Sequence, residues 1–155
     1  MLVSIVIPCY YSDKSIRKVV EMVMAEFDKN EGYECEFVLV NDGSTDNTWP
    51  EIQRLGQEYP CVHGINLMHN FGQHNALMAS MHYAKGDYVL GMDDDMQNHP
   101  SQIPQFLNKM EEGYDIVFGV FKQRKFSVMK NITGAISRYL LWHLLDRPKD
   151  IQMRS

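Results

Sequence analysis

The stretch 86–100, GDYVLGMDDDMQNHP, constrains the fold more than any other part of the chain. Tyr88, Val89, Leu90 and Met92 form a short apolar run after Gly86, and Asp93, Asp94 and Asp95 follow it without a break. A short apolar run opened by a glycine reads as a buried strand. Three adjacent carboxylates at its end repel one another and lose hydration unless a cation sits among them. Hard divalent ions such as Mg2+ and Mn2+ take oxygen ligands of this kind and leave their other positions to water or phosphate. In an extended segment Asp93 and Asp95 share one side, and Asp94 faces the other. Two carboxylates at the carboxyl end of a buried strand lie where open α/β sheets bind ligands. The plainer alternative is a solvated acidic loop ahead of a helix.

The rest of the chain supplies the sheet. Residues 2–7 are mostly β-branched and read as a strand that Pro8 stops, with Ser12 or Asp13 as cap of the next helix. Ile16, Val19, Val20, Val23, Met24 and Phe27 recur at helical spacing. Residues 36–40 form the second expected strand and run into the turn residues NDGSTDNT. Thr48 with Glu51 fits a capping box, Pro50 is tolerated in the first turn, and Trp49, Ile52, Leu55 and Tyr59 line one face. Further expected elements are a strand at 62–67, a helix carrying Ala76, Leu77, Ser80, Met81 and Ala84, and the strand before the acids. Beyond them come a helix capped by Ser101 and ended near Gly113, a strand at 114–120 and a helix at 126–145. Strands alternating with helices predict an α/β fold with a Rossmann-like, mostly parallel sheet and helices on both faces.

Composition narrows the class. With 155 residues, 45% hydrophobic and 23% charged, the chain has material for one domain with a real core, taken as 1–155. A net charge of −5 without a long basic run argues against a nucleic-acid surface. Cys9, Cys35 and Cys61 are scattered and read as reduced core thiols of a cytoplasmic protein. No apolar run reaches the length of a bilayer span, and the opening MLVSIVIP reads as a strand rather than a signal peptide.

Several familiar sites are excluded. There is no G-x-G-x-x-G after the first strand, no P-loop and no G-x-S-x-G elbow. Among six histidines, His69, His74 and His99 fall on the carboxyl side of strands, but none has zinc-site spacing beside a third ligand. Asn41 and Asp42 end a strand, where a carboxylate is able to accept hydrogen bonds from a base or ribose, although the same residues make a plain turn. Lys122, Arg124 and Lys125 form a basic loop that either is solvated or meets a phosphate.

Taken together, SIVIPCY, FVLVNDGSTDNT, HNFGQHNAL, AKGDYVLGMDDDMQNHP and IVFGVFKQR, in this order, resemble the nucleotide-binding half of a family 2 glycosyltransferase. The subgroup it is similar to includes dolichol-phosphate mannose synthase and bacterial polyprenyl-phosphate sugar transferases. The resemblance covers nearly the whole chain. It implies a GT-A fold, a UDP- or GDP-linked sugar donor, Mg2+ or Mn2+, and inversion at the anomeric carbon in a hexosyltransferase-type reaction. Position by position, it implies that Pro8 and Tyr10 lie against the base and that Asp42 bonds base or ribose. Asp93 and Asp95 become the acids of a D-x-D motif. Asp95 holds the metal on the diphosphate, Asp93 sits nearer the ribose and the metal's waters, Asp94 lies on the donor side, Gln97 is beside the metal, and Lys122 and Arg124 approach the phosphates.

Three departures from the family pattern stand out. Tyr11 and Ser12 occupy positions that often hold Asn and Glu. His69 stands where arginine is usual, which makes donor-phosphate contacts there weaker or pH-dependent. The chain ends at IQMRS, so the resemblance implies an N-terminal fragment, with the general base beyond residue 155. The expected acceptor is a polyprenyl phosphate. The alternatives are a polysaccharide or glycan acceptor in cell-envelope biosynthesis and, for this chain alone, an inactive nucleotide-binding module. A lipid acceptor implies work at the cytoplasmic face of a membrane. The expected peripheral contact is 137–145, where Tyr139, Leu140, Leu141, Trp142, Leu144 and Leu145 are flanked by Arg138 and Arg147. The alternative for that stretch is packing against the chain that follows it.

Overall fold

The computed structural model describes residues 1–95 and 99–119. The chain divides into two compact units, Met1–Val117 and Phe118–Ser155, and the fold described here is that of the first. Gln97, the basic loop with Lys122, Arg124 and Lys125, and the expected helix 126–145 lie outside the described residues.

The strands are β1 (Leu2–Cys9), β2 (Glu34–Asn41), β3 (Val62–Asn66) and β4 (Tyr88–Gly91). Between them run α1 (Ile16–Phe27), α2 (Thr48–Glu58) and α3 (Gln73–Tyr83), and α4 (Ile103–Glu111) follows a short 3-10 turn at Pro100–Gln102. The four strands form one sheet in the order β3-β2-β1-β4, and every pairing is parallel. Both sheet faces are covered, which is why β1 and β2 are apolar at successive positions rather than alternate ones.

On one face Val3, Ile5, Ile7 and Phe37 pack against Ile16, Val20 and Val23 of α1, Ile52 and Leu55 of α2, and Ile103 and Leu107 of α4. On the other, Val6, Val38 and Val40 pack against Ala76 of α3. Right-handed crossovers explain this division. The chain steps from β1 to β2 to β3 in one direction through α1 and α2. It then returns in the opposite direction to β4, so α3 must cross the opposite face. The direction of winding therefore reverses between β1 and β4, the place where open α/β sheets bind ligands.

Several local expectations are corrected. Pro8 does not stop β1 but pairs with Val40 inside it. The Val6 carbonyl faces β4, accepting from the Met92 amide, and strand alternation turns Pro8 the same way. Its missing N–H thus falls beyond the last β4 pair, Val6↔Gly91, where no ladder bond is needed. Ser15, not Ser12 or Asp13, occupies the α1 cap position, without a side-chain capping bond. The Thr48–Glu51 capping box does not form: Asn47 is at the α2 cap position, Thr48 accepts from the Ser12 amide at 2.8 Å, and Glu51 is taken by Arg17 at 2.5 Å. His99 rather than Ser101 caps the turn before α4, accepting from the Ser101 amide. No strand forms over the described residues 114–119. Tyr114 and Ile116 are exposed there, and an apolar run without a paired neighbour has nothing to hold it as a strand.

A buried polar group sets the register of β4. Glu36, 5% exposed on β2, accepts from the Ser4 hydroxyl and the Lys85 amide, both at 2.6 Å. The Gly86 amide in turn donates to the Ser4 oxygen at 2.8 Å. A Cβ on Gly86 would lie 2.6 Å from the Ser4 nitrogen and 2.8 Å from the Leu2 oxygen, so only glycine lets the chain enter β4 this close to β1. Burial works to raise the Glu36 carboxyl, but the Ser4 and Lys85 hydrogen bonds, with His63 and Lys85 nearby, outweigh it and hold it below its ordinary value. A carboxyl lowered in the folded state stabilises it above the unfolded pKa, and that contribution is lost as pH falls through the folded value. Glu36→Gln should cost about 1–3 kcal/mol at neutral pH. In urea unfolding, its gap from the parent chain should narrow on acidification to about pH 3. A gap independent of pH would show that the Glu36 charge does not stabilise the fold.

Candidate functional site

Because all four strands are parallel, their carboxyl ends open on one edge. Pro8 and Cys9 end β1 and Tyr10 follows it, Asp42 follows β2, and the segment with Asn70, Gly72 and Gln73 comes after β3. Asp93, Asp94 and Asp95 follow β4. All of them line one cleft of about 330 Å³. That is near the lower end of ordinary ligand pockets, which run from roughly 300 to 1,000 Å³.

Asp42 organises one wall. It is 2% exposed, and its two oxygens accept from the Phe71 amide at 2.8 Å and the Gly72 amide at 2.9 Å. Next to it Gly43 has φ +68°, and a Cβ there would lie 2.5 Å from the Asn70 nitrogen and the His69 carbonyl carbon. The NDG turn and the HNFG loop therefore interlock, and glycine is required both by conformation and by space. Asn41 adds a second tie, donating to the Asn66 side chain at 2.7 Å and accepting from the Ser44 amide at 3.3 Å.

A further part of the lining is the β1–α1 loop. Tyr10 is half-exposed and meets the Tyr11 ring edge-on at 4.6 Å. Tyr11 has φ +56°, a conformation that costs free energy for a side chain of this size and persists only where the surroundings impose it. Here its amide donates to the Ser44 hydroxyl at 3.1 Å, and its own hydroxyl bonds Thr45 at 2.9 Å.

The three acids have different surroundings. Asp93 accepts from the Gln73 side-chain amide at 2.8 Å, so the start of α3 steadies it. Asp94 accepts from the Ser12 hydroxyl. Asp95 is exposed on the cleft. Burial, and then the charge of Asp94, push the buried Cys9 thiol well above its ordinary pKa, more than the Val40 backbone bond lowers it. A thiol raised in this way is a poor nucleophile.

Among the described residues no three His, Cys, Asp or Glu side chains gather as a ready-made metal cage. The donor set still fits a hard divalent ion. Two carboxylates, Asp93 and Asp95, lie on one cleft, and such ions commonly take one or two carboxylates and complete their shell with phosphate and water.

Of the residues singled out in the sequence, Pro8, Tyr10, Asp42, Asp93, Asp94 and Asp95 come together, while Gln97, Lys122 and Arg124 lie outside the described residues. The stretch 137–145 also lies outside them, and among the described residues no helix is long and apolar enough to cross a membrane. Sequence reasoning missed Gln73 and Ser12 as the partners of Asp93 and Asp94. Their motifs, HNFGQHN and CYYSDKS, were visible, but pairing a loop after β3 or β1 with the end of β4 requires the sheet order.

Comparison with known proteins gives the family and the fold. The profile of the family described as Glycosyl transferase family 2 matches residues 4–150. The undecaprenyl-phosphate 4-deoxy-4-formamido-L-arabinose transferase of Shewanella sediminis is 41% identical over 141 residues, covering 90% of this chain and 42% of that protein. The chain thus spans less than half the length of this relative. Glucosyl-3-phosphoglycerate synthase from Mycobacterium tuberculosis, solved with Mn2+, uridine diphosphate and glucosyl-3-phosphoglycerate, superposes with a TM-score of 0.64 at 22% identity. The match covers 93% of this chain and 50% of that one. A mannosyltransferase from Pyrobaculum calidifontis, solved with GDP-Man and Mn2+, gives 0.52 at 22% identity, over 60% of this chain and 27% of that one. These likenesses show the fold, the GT-A arrangement.

The Asp42 geometry yields a direct test. Asp42→Ala should speed amide exchange at Phe71 and Gly72 and cost about 1–3 kcal/mol, because two donors lose their acceptor. Asp42→Asn should rescue little, since its amide group turns a donor toward one of those N–H groups. Unchanged exchange at both amides would refute the clamp.

Proposed function

This chain belongs to glycosyl transferase family 2, and from that premise we propose that its protein is an inverting glycosyltransferase. It would use a nucleotide sugar as donor and transfer the sugar to a polyprenyl phosphate. The acceptor is inferred from relatives of 41% and 36% identity, both named for an undecaprenyl-phosphate substrate. The observation that carries the donor half is the single cleft shared by Pro8, Tyr10, Asp42, Asp93 and Asp95.

Each wall suits one part of such a donor. The Tyr10 ring and Pro8 offer an apolar surface to a base. Asp42 retains lone pairs beyond the two used by the loop amides and is able to accept from base or ribose. Asp93, steadied by Gln73, and Asp95 hold a divalent ion, Mg2+ or Mn2+, with Asp94 on the donor side of the same turn. When bound, that ion offsets the negative charge that develops on the leaving nucleoside diphosphate. The family resemblance would assign Gln97 to the ion, and Lys122 and Arg124 to the phosphates. A lipid acceptor places the work at the cytoplasmic face of a membrane, with 137–145 as a peripheral contact.

Titration calorimetry tests the donor reading. UDP or GDP should bind more tightly with Mn2+ than without it. Asp95→Asn should remove most of that gain, about tenfold, while leaving the melting temperature no lower, because it relieves repulsion between acids. An unchanged gain in the variant would contradict the assignment of Asp95 to the ion.

A further inference from the structure

We propose that Asp94 is a positioning residue: its carboxylate latches the acidic turn to Ser12 and so fixes the loop that carries Tyr10 and Tyr11, leaving Asp93 and Asp95 to the cation. The proposal rests on the reading of the cleft as a site for a nucleoside diphosphate with a divalent ion.

Ser12 is built to serve as the other half of such a latch. It is 2% exposed, and each of its polar groups is engaged. Its amide donates to the Thr48 hydroxyl at 2.8 Å. Its carbonyl accepts from the Ser15 and Ile16 amides at 3.1 and 3.0 Å, opening α1. Its hydroxyl donates to Asp94. Thr48 is itself fully buried at the start of α2. One serine thus joins α1, α2 and the end of β4. Asp94 lines the cleft together with Cys9 at the end of β1, and its charge is felt at that thiol.

The consequence is a division of labour within DDD. Tyr11, at φ +56°, needs neighbours that hold it in place, and the residue immediately after it is the one Asp94 grips. The middle acid acts through Ser12 on the base side of the cleft, whereas its neighbours act on the phosphate side. Ser12 and Asp94 therefore form one unit, and losing either half has the same effect as losing both.

A mutant cycle tests this with Ser12→Ala, Asp94→Ala, their double variant and Asp94→Asn, which keeps an oxygen acceptor for Ser12. Two quantities are read: amide exchange over 10–16 in the ligand-free protein, and UDP and GDP affinity with and without Mn2+. Each alanine variant should speed loop exchange and weaken nucleotide binding about tenfold, the scale of one hydrogen bond to a charged group. The double variant should be no worse than either single, the ratio of Mn2+ to Mn2+-free affinity should stay at the parent value, and Asp94→Asn should recover both quantities. Independent, multiplying effects, loop exchange unaltered by Asp94→Ala, or loss of the Mn2+ ratio in Asp94→Asn would each overturn the latch. If the parent chain binds neither nucleotide, the reading of the cleft fails, and the exchange cycle still decides the latch.

Discussion

β1 is hydrogen-bonded on both edges, to β2 along its whole length and to β4 over Val3–Val6, and the site exists because of that pairing. Both neighbours run parallel to it, so three strand ends open at one edge with a reversal of winding beside them. The β4 side is the more demanding. The strand is short, and its entry requires a glycine against the Ser4 backbone and a buried Glu36 to receive the Lys85 amide. β4 ends at Gly91, so its register fixes where the acidic turn leaves the sheet and meets the cleft.

Carboxylates do two kinds of work in this fold. Glu36 and Asp42 are buried and accept from the backbone, so they act as fixed anchors for the segments that enter β4 and precede α3. Asp93 and Asp95 line the open cleft, on the side proposed for the cation. Asp94 lines the same cleft and also accepts from the Ser12 hydroxyl, so it ties the acidic turn to the β1–α1 loop. The three acids leave β4 in a bend rather than in the extended alternation expected from the sequence.

How much of this was legible in the sequence depended on the range of the interactions involved. The order of elements followed from periodicity: the α1 face from Ile16 to Phe27 and the runs of β1 and β2 are strong local signals. The cleft residues Pro8, Asp42 and the DDD triplet were legible because strand ends carry function in α/β sheets and because their motifs resemble a family. Local rules failed where a distant partner competed for a side chain. Thr48 and Glu51 spell a capping box, yet Ser12 and Arg17 claim them. Pro8 spells a stop, yet the missing N–H falls where β4 has ended. The Asp42 clamp was hidden because its partners lie about thirty residues away in sequence and are backbone amides, which no motif advertises.

The central claim is that this edge of the sheet holds a nucleoside diphosphate through a cation on Asp93 and Asp95. The most direct measurement is paramagnetic broadening in amide spectra of the isotope-labelled chain, with Mn2+ added in the presence of UDP or GDP. The account predicts selective loss of the signals of Gly72, Gln73, Asp93 and Asp95, with Gly32 and Gly86 at the opposite edge remaining sharp. Broadening centred elsewhere, or spread evenly over the surface acids, would contradict it.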